Sequence, residues 1–429
     1  MMQSINAQLV ENALQQRSLL AKSLQASVAS TDSTLEKRAA SLPLLEPYAR
    51  ALDHVNKHIT IRPHDIKAAV ESYGDIAQRL VDRLHWPVDA IEIFAQGSAS
   101  TKTLIRSPDR TKFDIDAVCR VAIDGAYASD PIKFFEDVGK GLEGLDVKRK
   151  NRCWMIQFAN KPYYIEFTPS VPLDVVALDS NGLDRRRLLA PNYRDTALAV
   201  VDRESEKWKT SNPQGLVQWV DDASKLQLVR TIIMDSAGQA IAASVGLVPE
   251  QEIGVDDTLR IAIRLFKRHR DMYVRRGHIE AEFQPISVIL VTLLTRCYYG
   301  LSELGLSYRH ALQVLVEMAT LLPHLVYKDS AYGYFVQNPT VEGENFAERW
   351  NRDAGERART FEVWCGLLCA DLKSILVLTD ERAIEAKTRE IFGCTNDDGS
   401  SGSDGGGGGI PLSPSHRPPP PPPRTTGLA

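Results

Sequence analysis

The segment from Phe113 to Val121 constrains the fold of this 429-residue chain more than any other segment. Its apolar residues alternate with polar ones, including Asp114 and Asp116, and this period of two predicts a strand buried mainly on one face. Because side chains two positions apart on a strand project from the same face, the two carboxylates must lie side by side. Any fold built around this strand therefore has to balance two like charges at one place.

The hydrophobic periods around this strand indicate a mixed fold. A second strand is predicted at 91–94, and the segments 153–158 and 163–167 predict a hairpin. Toward both ends of the chain the period is helical. A helix is predicted at 64–85, and the clearest helices are predicted at Asp257–Val274, Ile286–Tyr299, Tyr308–Leu322 and Phe361–Leu378. The sequence therefore predicts an α/β core near residues 85–200, flanked by helices from both ends.

Charge and composition exclude several classes of protein. A net charge of −4 argues against a general polyanion binder, whose domain would be strongly basic. Residues 1–16 lack the features of a signal peptide, and the longest apolar stretch, 286–294, is about half of a bilayer span. Six scattered cysteines form no CxxC motif, and no histidine cluster completes a zinc set. We expect a soluble protein of the reducing cytoplasm, without a membrane partner.

The C-terminal segment from about residue 395 has a different composition from the rest of the chain. It contains five glycines at 405–409 and six prolines at 418–423. Such a segment buries too little apolar area to offset the entropy of ordering it, so it is predicted to be disordered. The glycines make it flexible, and the proline run makes part of it a stiff spacer.

A candidate phosphate site precedes the acidic strand. Gln96, Gly97 and Ser98 follow the strand predicted at 91–94, and a helix is predicted over 100–105. Glycine lets a phosphate approach the backbone, the serine hydroxyl can donate to it, and a helix N-terminus favours an anion. A Gly-Ser pair is also a common turn, so this signal is weak by itself.

A candidate metal site comes from the acids. Two neighbouring carboxylates are stabilised by a cation between them, and hard Mg²⁺ prefers oxygen ligands. Glu166 stands among apolar residues of a predicted strand, where an acid is costly to bury unless a metal or a base pairs with it. Three such acids could form a two-metal site for phosphoryl or nucleotidyl transfer. Asp114 and Asp116 alone could equally be a solvated strand face, and it is the combination with Gly97-Ser98 and Glu166 that favours a functional site.

This combination resembles the polymerase-β-like nucleotidyltransferase superfamily. More specifically, it is similar to the bacterial cGAS/DncV-like nucleotidyltransferases (CD-NTases), which make cyclic oligonucleotide second messengers in anti-phage defence. Further segments fit the family, namely Thr103-x-Ile105, Trp208 to Pro213, Leu265 to Asp271, Pro285 to Ser287 and Asn338 to Trp350. The resemblance covers roughly residues 60–392.

The resemblance implies an α+β fold: a polymerase-β-like nucleotidyltransferase core with a mixed sheet, plus a helical lobe, in a bilobal arrangement. The implied domains are N-terminal helices packing on the core (1–60), the nucleotidyltransferase core (61–210), the C-terminal helical lobe (211–394) and a disordered Gly/Pro-rich tail (395–429). The implied substrates are ATP and other nucleoside triphosphates, and the implied cofactor is Mg²⁺, as two ions, with Mn²⁺ as a substitute.

The resemblance also assigns roles to single residues. Gln96, Gly97 and Ser98 would hold the donor triphosphate, with Lys267 and Ser287 contacting its phosphates from the helical lobe. Asp114, Asp116 and Glu166 would be the catalytic residues and bind both metal ions, and Glu166 would orient and deprotonate the attacking ribose hydroxyl. Read without the resemblance, Lys267 would lie on a solvated basic helix face and Ser287 would be a helix N-cap.

Some residues depart from the family pattern. The third acid is usually Asp, whereas this chain has Glu166; Asp174 is the fallback, but Pro169 and Pro172 are expected to interrupt the strand before it. Lys102 stands where many relatives have Gly and could add a phosphate contact. The zinc-binding insertion of the related animal cyclic GMP-AMP synthase is absent from the sequence, so no activation by DNA is expected.

Three further expectations concern products, basic residues and partners. The resemblance implies that the chain makes a cyclic di- or trinucleotide from nucleoside triphosphates and releases pyrophosphate. The alternatives are a linear oligonucleotide or terminal nucleotidyltransferase and a non-catalytic nucleotide-binding scaffold. The basic clusters, Lys148–Lys150 with Arg152 and Arg185–Arg187, are expected on solvated loops. An E1/E2-like conjugation partner is expected to act on the C-terminal Ala429, because relatives in this defence system can be conjugated through a flexible C-terminus.

Overall fold

The computed structural model describes residues 4–25, 46–109, 112–124, 127–176, 191–229, 248–254, 256–330, 333–341 and 343–394. The tail predicted to be disordered, including Ala429, and the basic cluster Arg185–Arg187 lie outside the described residues. The helices within the described residues are α1 (Ile5–Gln25), α2 (Glu46–Ile59), α3 (Pro63–Leu84), α4 (Gly97–Ser100), α5 (Pro131–Gly141), α6 (Pro213–Ser224), α7 (Thr258–Arg275), α8 (Ser287–Glu303), α9 (Ala311–Leu321), α10 (Glu356–Leu376) and α11 (Glu381–Phe392).

A mixed sheet of seven strands lies in the middle of the sequence. The strands are β1 (Ile91–Ala95), β2 (Phe113–Val121), β3 (Asp146–Arg149), β4 (Trp154–Gln157), β5 (Tyr163–Pro172), β6 (Leu198–Asp202) and β7 (Lys207–Ser211). Their order is β1-β2-β5-β4-β3, while β6 pairs with the end of β5 and β7 pairs with β6. The pair β2–β5 is parallel and the other pairs are antiparallel. A two-stranded ribbon, β8 (Tyr327–Asp329) with β9 (Gly333–Phe335), lies apart from it.

Strand β5 is longer than the sequence predicted. The hairpin β4–β5 is confirmed, but β5 continues through Pro169 to Pro172, so the expected interruption by proline is wrong. On one edge of β5, pairing with β4 ends at Phe167 and pairing with β6 begins at Ser170. Pro169 therefore falls in the gap between two partners, where a missing N–H group costs little.

The sheet is buried on one face by helices, as the alternation in β2 predicted. Ile115, Ala117 and Cys119 join an apolar cluster with residues of α3 and α5 such as Tyr73 and Phe134. The intervening positions, which carry the acids, face away from this cluster because alternate strand residues point to opposite sides. The period of the sequence thus determined which face of β2 is free for chemistry.

A second apolar cluster lies among the helices. It contains residues of α1 and α2 together with residues of α6 to α11, including Trp364 and Phe361. Helix α1 packs on α8, and α2 packs on α11. The boundaries predicted for the four domains stay predictions. None of the helices among the described residues is long and apolar enough to cross a membrane.

Most helix predictions match the structure closely, and one does not. Asp257 caps α7 by accepting a hydrogen bond from the backbone N–H of Arg260 at 3.1 Å. The helix predicted over 100–105 is wrong: α4 is a single turn that begins at Gly97 and ends at Ser100. The Thr101 hydroxyl donates to the carbonyl of Gly97 at 3.0 Å, and Lys102 adopts a left-handed φ of +59°, so the helix cannot continue.

Candidate active site

The three predicted acids meet through the register of β2 and β5. In this parallel pair Asp116 lies opposite Glu166, and Asp114 lies opposite Tyr164. Opposite residues on neighbouring strands are about 5 Å apart. Asp114, Asp116 and Glu166 therefore project from the same face of the sheet, although about 50 residues of chain separate the first two from the third.

Asp116 is at the centre of this group and is held in an unfavourable environment for a charge. Burial, and then the neighbouring charges of Asp114 and Glu166, raise the pKa of Asp116 to about 8 from an ordinary 3.8. No ion pair of Asp114 or Asp116 occurs among the described residues of the chain. The charges of Lys267 and Lys150 act in the opposite direction but do not offset these effects, so a cation bound at Asp116 would stabilise its carboxylate.

Gly97 packs directly against Asp116. Its φ of +61° is left-handed, and a Cβ atom at this position would lie 2.2 Å from Oδ2 of Asp116. The backbone N–H of Gln96 donates to the carbonyl of Asp116 at 2.9 Å, which fixes the turn against β2. Only glycine therefore permits this close approach between the predicted phosphate turn and the predicted metal ligand.

A cleft of about 310 Å³ opens between the acids and the helices. Six predicted site residues line it, namely Gly97, Ser98, Asp114, Asp116, Lys267 and Ser287. Gln96 and Glu166 are not among its lining residues; the Gln96 side chain instead donates to the Thr168 hydroxyl at 3.2 Å. The cleft gathers the phosphate turn, the acidic strand and helices α7 and α8 around one space.

Lys267 reaches this cleft from a buried position. Only 4% of the residue is exposed, so the solvated helix face considered from sequence alone is wrong. Its Nζ donates to the carbonyl of Thr103 at 2.8 Å. Burial, and then the charge of Arg270, lower the pKa of Lys267 to about 8, while Asp114 and Asp116 act in the opposite direction. An anionic ligand in the cleft would stabilise the ammonium.

Ser287 is the first residue of α8, and its hydroxyl accepts a hydrogen bond from Arg270 at 3.2 Å. The N-cap position is Ile286, so the alternative of a serine N-cap is wrong. Arg270 also donates to the carbonyl of Pro285 at 2.9 Å and pairs with Asp271 at 2.7 Å. Arg270 and Asp271 line the cleft too. We did not predict them as site residues, although the segment Leu265–Asp271 that carried the family resemblance contains both.

Glu166 makes its side-chain contacts with residues just before β4, which is the neighbour of β5 on the side away from β2. Lys150 donates to its Oε1, and the thiol of Cys153 lies 3.8 Å from its Oε2. Lys150 was expected on a solvated loop; in the structure its side chain is 37% exposed and pairs with a predicted catalytic acid. The fallback acid, Asp174, is exposed in a short turn beyond the end of β5. Lys102 is not among the residues that line the cleft.

The donor chemistry fits a hard divalent cation at Asp114 and Asp116. Within the described part of the chain, no group of three His, Cys, Asp or Glu side chains converges closely enough to hold a metal. The pair of carboxylate-bearing residues on one strand nevertheless provides oxygen ligands, and burial together with Asp114 and Glu166 disfavours the ionised form of Asp116 unless a cation binds there. Glu166 is turned toward Lys150 and would have to move to join them.

Comparison with known proteins gives the fold a name. No protein-family model matches the chain. The solved structure of the CD-NTase CdnG from Bradyrhizobium diazoefficiens, in complex with GTP, matches 81% of this chain and 100% of that chain, with 17% identity and a TM-score of 0.54. The chain has the CD-NTase fold. The predicted resemblance and the predicted α+β class are both confirmed.

The chain is also similar to another solved structure and to a protein of known activity. The structure of E. coli MS115-1 CdnC in a complex with HORMA-deltaN covers 81% of this chain and 97% of that chain, with 10% identity and a TM-score of 0.52. A c-di-GMP synthase of Roseivirga ehrenbergii is 24% identical over 267 residues. That match spans 61% of this chain and 61% of the relative, so it includes less than two thirds of the relative's length.

Proposed function

We propose that this chain is a nucleotidyltransferase that makes a cyclic dinucleotide from nucleoside triphosphates and releases pyrophosphate. The observation that carries the proposal is the β2–β5 register, which places Asp116 opposite Glu166 beside the turn at Gly97. The CD-NTase fold and the similarity to a protein named c-di-GMP synthase support it. We take GTP as the first substrate to test, followed by ATP.

The donor triphosphate would bind where backbone and positive charge meet in the cleft. Gly97 leaves the backbone accessible, and the Ser98 hydroxyl can donate to a phosphate oxygen. The ammonium of Lys267 uses one hydrogen bond on Thr103, so two of its three donors stay available for phosphate. Arg270 adds charge behind Ser287 and holds that hydroxyl in place.

Asp114, Asp116 and Glu166 would hold two divalent cations, Mg²⁺ or Mn²⁺. When bound, such ions lower the pKa of an attacking hydroxyl and stabilise the charge on a leaving pyrophosphate. Glu166 lies on the side of Asp116 away from the phosphate turn, where its carboxylate could accept the proton of the ribose hydroxyl. Gly97 and Ser98 would thus bind the phosphates, and Lys267 would compensate their charge. Asp114 and Asp116 would hold cations, while Glu166 would both hold a cation and accept the proton.

The test is product analysis with matched variants. Purified protein is incubated with Mg²⁺ and labelled triphosphates, pyrophosphate is measured, and the products are treated with phosphatase and a 3′-end-dependent nuclease before mass spectrometry. We expect pyrophosphate release and a resistant cyclic dinucleotide. The double variant Asp114→Asn/Asp116→Asn should release none, whereas Asp146→Asn, an exposed acid on strand β3, should behave like the wild type.

Each alternative function has its own result in the same assay. Products that are wholly sensitive to the nuclease would show a linear oligonucleotide synthase. Nucleotide binding without pyrophosphate release would show a non-catalytic scaffold. Full activity in the double variant would show that the reaction takes place elsewhere in the chain.

We further infer a role in anti-phage signalling in the cytoplasm, on the basis of the family resemblance. The six free thiols fit a reducing compartment. A bacterial strain that expresses the chain should restrict phage, and the same strain with the double variant should not. For the conjugation proposed at Ala429, deleting Leu428 and Ala429 should abolish high-mass conjugates in cells and leave synthesis in vitro unchanged.

A further inference from the structure

The carboxylate of Glu166 is occupied by groups of its own chain. Its Oε1 accepts a hydrogen bond from the ammonium of Lys150, and its Oε2 lies 3.8 Å from the thiol of Cys153. Glu166 lies opposite Asp116 on β2 and opposite Met155 on β4. Lys150 and Cys153 lie between the end of β3 and the start of β4, so they hold the carboxylate from the β4 side of β5.

The backbone around Lys150 is held in place, so this contact is built into the hairpin. The N–H of Lys150 donates to the carbonyl of Cys153 at 2.9 Å, which closes the turn between β3 and β4. The carbonyl of Lys150 accepts a hydrogen bond from Arg203 at 3.1 Å. These bonds fix the main chain at Lys150, and from this position its side chain places the ammonium on Glu166.

The ion pair between Lys150 and Glu166 is nevertheless exposed enough for another cation to replace the ammonium. The side chain of Lys150 is 37% exposed and that of Glu166 is 24% exposed. Partly solvated pairs of this kind are worth little more than exposed ones, so a competing cation of higher charge can displace the ammonium. By contrast, Asp114 and Asp116 have no ion pair among the described residues, so a cation that binds there displaces no direct partner, although the charges of Lys267 and Lys150 also act on Asp116.

We propose that Lys150 is an internal counter-cation that competes with a divalent ion for Glu166. This inference rests on the proposed function, because that function assigns Glu166 to a metal. The first ion would bind at Asp114 and Asp116, and recruitment of Glu166 by the second would require the Lys150 ammonium to leave. Lys150 is therefore a positioning residue that sets the metal concentration at which the third acid joins the site.

The test measures Mn²⁺ binding without nucleotide, by the loss of the electron paramagnetic resonance signal of free Mn²⁺. In Lys150→Met the weaker Mn²⁺ site should bind roughly tenfold more tightly than in the wild type, since both a competitor and a repelling charge are gone. Lys150→Arg keeps the charge and should resemble the wild type. Lys148→Met is the matched control, because it removes an equal charge from an exposed position two residues away and should change the affinity less than about twofold.

A double-mutant cycle separates competition from general electrostatics. If Lys150 acts through Glu166, the gain from Lys150→Met should vanish in a Glu166→Gln background. A gain that persists there, or an unchanged Mn²⁺ affinity in Lys150→Met, would overturn the inference. Thermal melting verifies that each variant is folded, and Lys150→Gln serves as the second neutral variant if Lys150→Met is not.

The two proposals can fail separately. A wild-type protein that releases no pyrophosphate but shows the expected Mn²⁺ cycle would refute the catalytic function while keeping Lys150 as a competitor. An active wild type whose Mn²⁺ affinity does not respond to Lys150 would keep the function and refute the competition.

Discussion

Replacing Asp116 by Asn should stabilise the protein while abolishing its proposed activity. The pKa of Asp116 is raised to about 8 from 3.8, first by burial and then by Asp114 and Glu166. Below pH 4 the carboxyl is protonated in the folded and unfolded chains alike. Between pH 4 and pH 8 only the folded chain keeps the proton, so this group's contribution to the free energy of unfolding falls as the pH rises.

The size of the effect follows from that difference. One pKa unit corresponds to about 1.4 kcal/mol, so the contribution lost between pH 4 and pH 7 is at most about 4 kcal/mol. Relaxation and water penetration reduce such penalties in real proteins. Asn is neutral at every pH, so we expect Asp116→Asn to raise the free energy of unfolding by about 2 kcal/mol at pH 7, and by less at pH 5.

The assay is urea denaturation in the presence of EDTA, at pH 5 and pH 8, with pyrophosphate release measured separately. Asp146→Asn is the control, because Asp146 is exposed on strand β3 and is not among the groups that raise the pKa of Asp116, so its substitution should change stability by less than about 1 kcal/mol. The electrostatic reasoning would be refuted if Asp116→Asn were less stable than the wild type. It would also be refuted if the difference in free energy of unfolding between variant and wild type were the same at pH 5 and pH 8.

Two further predictions concern the cleft. Gly97→Ala should abolish activity, because the new Cβ atom would lie 2.2 Å from Oδ2 of Asp116. For the same reason it should destabilise the protein by more than the roughly 1 kcal/mol expected from a left-handed φ alone. Gly277→Ala is the control in the same denaturation assay, because Gly277 has a φ of +75° with open space around it and so reports the effect of φ alone. Lys267→Met should lower kcat/KM about 100-fold, whereas Lys267→Arg should keep part of the activity. The pKa of Lys267 is lowered to about 8, so the nucleotide-free protein loses this positive charge above pH 8. Nucleotide affinity should therefore fall above pH 8 in the wild type and stay level in Lys267→Arg, since arginine keeps its charge. An equal fall in both proteins would contradict the assignment of Lys267 to the donor phosphates.

The residue pattern alone is enough to predict the local part of the site. The period of β2 places Asp114 and Asp116 on one face, and it needs no knowledge of the rest of the fold, because alternation is a property of a single strand. The helical periods likewise located α7 and α8 to within a few residues. The short turn at Gly97 was less predictable, since the Thr101 hydroxyl and the conformation of Lys102 ended a helix that propensity alone would have continued.

Strand pairing and helix packing bring the distant groups of the site to these acids. The parallel register sets Glu166 opposite Asp116, and a shift by one residue would have turned Glu166 to the buried face. Packing of α7 buried Lys267 beside the cleft instead of exposing it, and the turn before β4 carried Lys150 to Glu166. Strand pairing and helix packing act between residues far apart in the chain, so the acid-bearing strand could be recognised from its own sequence, but its partners depended on the folded molecule.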